Sequence, residues 1–256
     1  MHFEAGTLEA FGLFMVRSSA LVLSAPVLGT TTGFSGYKIA LIFSVTFLLY
    51  GVHGEPLGHE VEAIEFACLA MREILIGLAL AFSLHAVMLA LRVAGELVGH
   101  EMGFNMASII DPVTGLNTPI ITQIYDVFFI LGFLMVDGHH LLLRGLAQSF
   151  ERAPVGTMDI GASIPWITER LFTQMFTAGL TFAAPVLILL MAASLLLAFL
   201  ARAVPSLNVN EAGFTARIAI GLVALFVFAP LLTSALHLLY GRFEEGMAAV
   251  LDAVAI

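Results

Sequence analysis

The sequence contains very little charge, and its few basic side chains and single cysteine exclude several classes of protein. Only 11% of the 256 residues are charged, with 10 Lys and Arg against 19 Asp and Glu, and Lys38 is the only lysine. A net charge of −9 offers no basic surface to a nucleic acid, so we expect no nucleic-acid partner. Cys68 is the only cysteine, which excludes an internal disulfide and a metal site built from cysteines.

Catalytic motifs are missing as well. The sequence has no HExxH, no GxSxG and no glycine-rich phosphate loop of the Walker type. His139 and His140 follow Asp137, but adjacent histidines on a helix point about 100° apart, and no further ligands stand at metal-binding spacing beside them. We therefore predict that Asp137 caps the start of a helix, that the chain holds no metal or cofactor, and that it is not an enzyme.

What the sequence has in abundance is apolar length. Sixty percent of its residues are hydrophobic and its mean hydropathy is +1.01, which is far from the composition of a soluble domain. About 20 apolar residues span a bilayer. The pattern predicts an all-α, membrane-associated protein of about six long hydrophobic helices in hairpins, one of them interrupted by Pro185. The apolar stretches are Leu8–Leu28, Lys38–Val52, Phe66–Val98, Ile120–Val136, Trp166–Leu200 and Phe214–Leu239.

One segment breaks this apolar pattern near the middle of the chain. Gly95, Gly99 and Gly103 recur every fourth residue at the end of the third stretch, which predicts one smooth helix face against which another backbone packs closely. Turn and breaker residues follow as far as Pro119. Irregular backbone between membrane-length helices has to reach water or line a protein cavity. This arrangement is typical of pores and gates.

Charged residues inside the apolar stretches include Arg17, the pair Arg72-Glu73, and Arg92 and Glu96. Ionisable groups at membrane depth are costly and mark functional candidates. Our main interpretation is that these charges face interfaces with other subunits, and a simpler one is that Arg92 pairs with Glu96, one turn away. A rival hypothesis is a secondary transporter that binds a coupling ion through Glu73, Arg92 and Glu96 between broken helices. That hypothesis calls for an inverted repeat, and the sequence shows no repeat.

The connection between the last two stretches has a readable orientation. Arg202 and Arg217 flank it, and the bias of basic residues toward the cytoplasm predicts a cytoplasmic hairpin loop there. Pro205 and Asn208 mark its turn.

Several motifs together carry a resemblance to a known family. They are AGELVGHEMGFNMASIIDP, DGHHLLLRGLAQSFERAPVG, GLTFAAPVLILL and ARAVPSLNVNEAGF. In order and spacing they resemble the R-type export-gate subunits of type III secretion, on the flagellar side (the FliR family). The resemblance covers nearly the whole chain. His100-Glu101, Ser206 and Asn210-Glu211 depart from the residues that are common in that family.

The resemblance implies an architecture and a set of partners. Residues 1–165 would form a P-type-like part and residues 166–256 a Q-type-like hairpin with a C-terminal tail, in a single export-gate subunit. One copy would complete a helical pore with P-type and Q-type subunits (FliP and FliQ), next to the switch-type subunit FlhB and the export component FlhA. Exported flagellar polypeptides would pass through it. The implied location is the bacterial inner membrane, as a multi-pass protein of the flagellar basal body.

The resemblance also implies a function for the irregular segment, residues 103–119. In the family this loop plugs the pore, with Met106 and Ile109 at gasket-like positions. Its low charge agrees, because an apolar constriction excludes ions by dewetting and can still be displaced by a polypeptide. A plain surface loop is the alternative. The predicted plug residues are Gly103, Phe104, Met106, Ile109, Asp111, Pro112, Gly115, Asn117 and Pro119.

Overall fold

Helices make up the regular structure of the chain. The structure, a computed structural model, describes residues 6–27, 36–59, 61–104, 120–156, 164–203 and 209–254. These residues contain no strand, which confirms the all-α prediction. Their seven helices are α1 (Thr7–Ser24), α2 (Gly36–His53), α3 (Ala63–Glu101), α4 (Ile120–Met135), α5 (Gly138–Arg152), α6 (Ile164–Ala203) and α7 (Val209–Val254).

Helix α5 is the main difference from the six predicted apolar helices. Its buried residues include Leu142, Gly145, Leu146, Ser149 and Phe150, which recur at the spacing of one helix face. Its other face is polar, and the predicted apolar stretch Ile120–Val136 ends before α5 begins. Asp137 is the N-cap residue of α5, as predicted, although it adopts a left-handed backbone (φ 53°) and its side chain makes no capping hydrogen bond.

Within the described parts of the chain, four helices are long and apolar enough to cross a membrane: α1, α2, α3 and the Trp166–Ala203 part of α6. A fifth span results if the bent pair α4 and α5 counts as one. Helix α6 continues through Pro185 to its end at Ala203. At 39 residues, α3 is about 58 Å long, well beyond the ~30 Å of a bilayer core. The protein is thus a multi-pass helical membrane protein.

The chain divides into two compact units. Unit 1 consists of Met1–Ala86, Leu134–Phe172 and Arg242–Ile256, and unit 2 consists of Val87–Phe133 and Thr173–Gly241. Helices α3, α4, α6 and α7 contribute residues to both units. The division into a P-type-like part and a Q-type-like hairpin at residue 165 is a different partition, and it stays a prediction.

Aromatic contacts and small residues build unit 1. Phe11 and Phe14 of α1 meet the ring of Tyr50 in α2 edge-on, with centroids 5.5 and 5.4 Å apart. The ring of Phe14 also stacks on that of Phe150 of α5 at 4.0 Å. At Gly77, α3 approaches α1 so closely that an added Cβ would lie 2.7 Å from the carbonyl oxygen of Arg17.

Unit 2 is held by close helix contacts of the same kind. An added Cβ at Gly179 of α6 would lie 2.7 Å from the carbonyl oxygen of Ala90. The buried hydroxyl of Tyr240 in α7 donates a hydrogen bond of 2.6 Å to the carbonyl oxygen of Phe129 in α4. Small residues therefore let backbones meet, as is common in membrane-embedded helix packing.

Candidate functional site

A cluster of buried charges forms the centre of unit 1. The Arg17 Nε donates to the Glu73 Oε2 at 2.5 Å, and the Arg72 Nη1 donates to the Glu73 Oε1 at 3.0 Å. The side chains of Arg17 and Glu73 are 0% exposed, and that of Arg72 is 2% exposed. Two guanidinium groups thus share one carboxylate away from solvent.

The remaining positive charge is directed to the end of α5. Arg17 donates to the carbonyl oxygens of Ser149 (2.7 Å) and Ala153 (2.9 Å), and Arg72 donates to that of Pro154 (3.2 Å). The C-terminal end of a helix carries partial negative charge, and the carbonyl of Ser149 accepts from Arg17 in addition to the N–H of Ala153. The guanidinium carbon of Arg17 also lies 4.3 Å from the ring centre of Phe150. Arginine side chains thus cap α5.

This geometry corrects the interface prediction for Arg17 and Glu73. Both side chains are buried within unit 1 of this chain, and their partners belong to the same chain. The physical reason is that an unpaired charge at membrane depth is costly, so the fold supplies its partners directly.

Arg92 lies in unit 2 and has a partner that the sequence analysis did not identify. Its Nε donates to the Asp126 Oδ1 at 2.8 Å, and its Nη2 donates to the Asp126 Oδ2 at 3.0 Å. The hydrogen-bonded partner of Arg92 is therefore Asp126 rather than the predicted Glu96, which is exposed one helical turn away. Asp126 is the only charged residue in α4. Like Arg17, it is an ionisable group in an apolar stretch, which by itself marks a functional candidate.

These contacts count against the transporter hypothesis. Glu73 is bonded to two arginines in unit 1, whereas Arg92 is bonded to Asp126 in unit 2. A carboxylate already shared by two guanidinium groups has no free charge for a coupling ion. The predicted set of Glu73, Arg92 and Glu96 therefore does not form one ion site. That Arg92 and Glu96, which are partly exposed, face another subunit stays a prediction.

The end of α3 introduces the irregular segment. The N–H of Gly103 donates to the carbonyl of His100, and the N–H of Phe104 donates to that of Gly99, both at 3.0 Å. Gly103 has φ +89°. This is a Schellman motif, in which a left-handed glycine ends a helix and turns the chain away. The glycine at position 103 therefore explains why the helix ends here.

The Schellman motif corrects the predicted face of three glycines. Gly103 lies beyond the end of α3, so only Gly95 and Gly99 belong to the helix, and both are buried. At Gly95 an added Cβ would lie 2.7 Å from the Cα of Thr122 in α4. The backbone that packs on Gly95 thus belongs to this chain. A contact of Gly99 with another subunit stays a prediction.

Most of the predicted plug lies outside the described residues. Gly103 and Phe104 are described, and both are half-buried. The plug residues outside the description are Met106, Ile109, Asp111, Pro112, Gly115, Asn117 and Pro119.

The predicted cytoplasmic hairpin loop is shorter than the range between its arginines. Helix α6 extends to Ala203 and α7 begins at Val209, so Arg202 and Arg217 are helical residues. Arg217 donates from its Nε to the carbonyl of Gly213 at 3.3 Å, one turn earlier in α7. Pro205 and Asn208 lie outside the described residues. The helices include both arginines because polar residues alone do not end a helix.

The histidine pair is closer to an acid than the sequence predicts. Asp137, His139 and His140 each offer a ligand atom, and these atoms lie within 4.8 Å of one another. The rings of His139 and His140 are 4.2 Å apart between centroids, closer than ideal helix geometry suggests. The side chains of Asp137 and His140 are 74% and 66% exposed. That no metal binds here stays a prediction.

Comparison with known proteins identifies the family. The family described as bacterial export proteins, family 1, matches residues 8–242. The flagellar biosynthetic protein FliR of Escherichia coli (strain K12) is 28% identical over 93% of this chain and 91% of its own length. FliR of Bacillus subtilis (strain 168) is 31% identical over 85% of each chain, and FliR of Pectobacterium carotovorum is 30% identical over 92% of this chain and 90% of its own.

The family match includes residues of both units and of all seven described helices. They agree with the family resemblance of the sequence motifs, and the matched relatives carry flagellar names. The chain belongs to family 1 of the bacterial export proteins, and its function is that of a type III export apparatus subunit in flagellum biogenesis.

Proposed function

We propose that this chain is a structural subunit of the flagellar export gate and that residues 103–119, here called the gate segment, plug its channel. The observation that carries this proposal is the Schellman motif at Gly103, which ends a buried helix and turns the chain into the gate segment. The segment is mostly apolar, and Asp111 is its only charge. Apolar constrictions exclude ions by dewetting.

The exposed apolar surface supports a place inside an assembly. Large side chains are more than half exposed along α2 and along α6, where lipid or other subunits have to cover them. We propose that P-type and Q-type subunits (FliP and FliQ), FlhB and FlhA are the neighbours, in the bacterial inner membrane at the flagellar basal body. The residues are Ile39, Phe43, Phe47, Leu48 and Val52 in α2, and Ile188, Met191, Leu195, Leu196, Phe199 and Leu200 in α6.

The gate has no chemistry of its own in this proposal. Glu73, Arg17 and Arg92 are all engaged in ion pairs within their own units, which suits structural roles better than proton transfer. We therefore propose that the chain is not an enzyme. Energy for transport would come from other components of the apparatus.

The test is to delete Val113–Asn117 in cells that express the whole export apparatus. We expect ion conductance across the closed channel to rise while assembly, measured by co-purification, is retained. Met106→Ala with Ile109→Ala should give a smaller rise, because smaller side chains let water persist in the constriction. The control Asp111→Glu keeps the charge and the length of the segment, and its conductance should match that of the wild type.

Two outcomes would overturn this proposal. Unchanged conductance with normal export after the deletion would mean that the gate segment does not seal the channel. Loss of substrate uptake with no gain in conductance would point instead to a transporter.

A further inference from the structure

The ion pair of Arg92 and Asp126 joins the two helices that flank the gate segment. Both ends of the arginine fork are used, at 2.8 Å from Nε to Oδ1 and 3.0 Å from Nη2 to Oδ2. A two-pronged contact of this kind fixes the angle between its partners as well as their distance. It therefore resists rotation of α3 against α4.

The pair stands near the base of the gate segment. Arg92 lies about 14 Å before the end of α3 at Glu101, and Asp126 lies about 9 Å after the start of α4 at Ile120. Any movement of α3 against α4 at this level shifts both points from which the gate segment leaves.

A second contact lies between the ion pair and the gate segment. At Gly95 an added Cβ would meet the Cα of Thr122 at 2.7 Å and the ring of Tyr125 at 2.9 Å. The backbones of α3 and α4 are thus in near contact one turn from Arg92. The glycine lets the helices approach closely, but its contacts with Thr122 and the Tyr125 ring include no directional bond that resists sliding or rotation. The ion pair supplies that resistance.

We propose that Arg92 is a positioning residue of the gate, which together with Asp126 holds the two ends of the gate segment in register when the channel is closed. The proposal rests on the proposed plug function of residues 103–119. The pair is accessible, with side chains 43% and 22% exposed, so it can be broken without exposing the core of unit 2.

Glu96 makes a sharp test possible. It is one helical turn from Arg92 on α3 and is exposed. In Asp126→Asn, Arg92 can turn to Glu96 as an alternative acceptor (i, i+4), so no charge is left unpaired. The tie between α3 and α4 is nevertheless lost. The variant should therefore fold and assemble, and it should fail only in holding the gate segment.

The experiment measures ion conductance through the closed channel in membranes that contain the complete export apparatus. Asp126→Asn and Arg92→Asp should each raise conductance by about two- to fivefold, the range expected when a partly exposed ion pair is lost. The swapped variant Arg92→Asp with Asp126→Arg restores opposite charges and should return conductance to near the wild-type value. Arg144→Asp, the same charge change at an exposed position of α5, is the matched control and should have no effect.

Each result decides between a positioning role and a merely structural one. Wild-type conductance in both single variants would overturn the proposal, as would a swapped variant that leaks as much as the single ones. If Arg92→Asp does not assemble, Asp126→Asn and Arg92→Lys carry the test, since lysine keeps the charge and loses the two-pronged contact.

Deletion of Val113–Asn117 in the same membranes separates this proposal from the plug itself. A leaking deletion with silent ion-pair variants would overturn the role of Arg92 and leave the plug standing. A silent deletion would overturn the plug, and the role of Arg92 would fall with it.

Discussion

The two units each contain an arginine paired with a carboxylate, but in opposite surroundings. In unit 1, Glu73 is shared by Arg17 and Arg72, and all three side chains are at most 2% exposed. In unit 2, Arg92 and Asp126 pair one to one, with 43% and 22% of their side chains exposed. An arginine–carboxylate ion pair is therefore shielded from solvent in unit 1 and partly exposed to it in unit 2.

This difference indicates what each contact can be used for. A buried pair that loses one member leaves an uncompensated charge and costs about 3–5 kcal/mol, whereas a partly exposed pair is worth about 0.2–1 kcal/mol. The cluster around Glu73 therefore serves the fold, since any motion that breaks it is too costly. The pair around Asp126 is weak enough to change during a functional cycle.

The comparison is tested most strongly by removing each carboxylate in the same way. Glu73→Gln leaves two buried guanidinium groups without a counter-charge and should lower the free energy of unfolding by about 3–5 kcal/mol. Asp126→Asn should lower it by at most about 1 kcal/mol. Thermal denaturation of the purified protein in detergent, together with the level of each variant in the membrane, measures the difference. Equal losses for the two variants would refute the contrast between the units.

A second prediction concerns the packing of unit 2 rather than its charges. Gly95→Ala places a methyl group 2.7 Å from the Cα of Thr122, which forces α3 and α4 apart and should cost about 1–3 kcal/mol. Gly241→Ala is the matched control, because nothing lies within 4 Å of its added Cβ. It should stabilise α7 by up to about 1 kcal/mol through helix propensity. A Gly95→Ala variant as stable as Gly241→Ala would show that α3 and α4 can separate freely.

The smallest expected effect is at the end of α3. Gly103→Ala puts a side chain on a residue with φ +89° and should cost about 1–2 kcal/mol locally. Its Cβ would also meet the ring of Phe214 at 3.0 Å. Gly58→Ala in unit 1 carries a similar cost at φ +74° in open space.

The two glycine variants should differ in conductance rather than in stability. Only Gly103→Ala changes the start of the gate segment, so only this variant should alter the closed-channel leak. Equal conductance in both variants would mean that the exit direction of the chain at Gly103 is unimportant for closure.

Apolar length and breaker residues were enough to predict much of the fold. The stretch Lys38–Val52 corresponds to α2 within two residues at its start, and Ile120 begins both the predicted and the observed helix. The end of α3 was predictable because Gly103 is followed by breakers. The export family followed from the order of several motifs, although no single one of them is specific.

The contacts within the site were much harder to predict. Arg17 bonds to Ser149, which is 132 residues away in the sequence, and no local pattern encodes such a contact. Asp126 has no oppositely charged residue near it in the sequence. Its contact with Arg92, 34 residues away, depends on the packing of α3 against α4. The spacing of one helical turn likewise predicts Glu96 as the partner of Arg92, whereas the hydrogen-bonded partner is Asp126. The predicted cap at Asp137 marks the start of α5, but the polar face of this helix keeps it out of the set of long apolar stretches.

The link from Arg17 to the end of α5 also sets an order for biosynthesis. Helix α1 is made first, with a guanidinium group in the middle of an apolar stretch, and the carbonyls of Ser149 and Ala153 that satisfy it emerge only after more than half of the chain is translated. Glu73 supplies a counter-charge once α3 is made, but Arg72 shares its carboxylate, so until α5 is made two guanidinium groups share a single negative charge, which is costly at membrane depth. The full set of bonds that stabilises Arg17 in α1 is therefore complete only after residues 149–153 have been made.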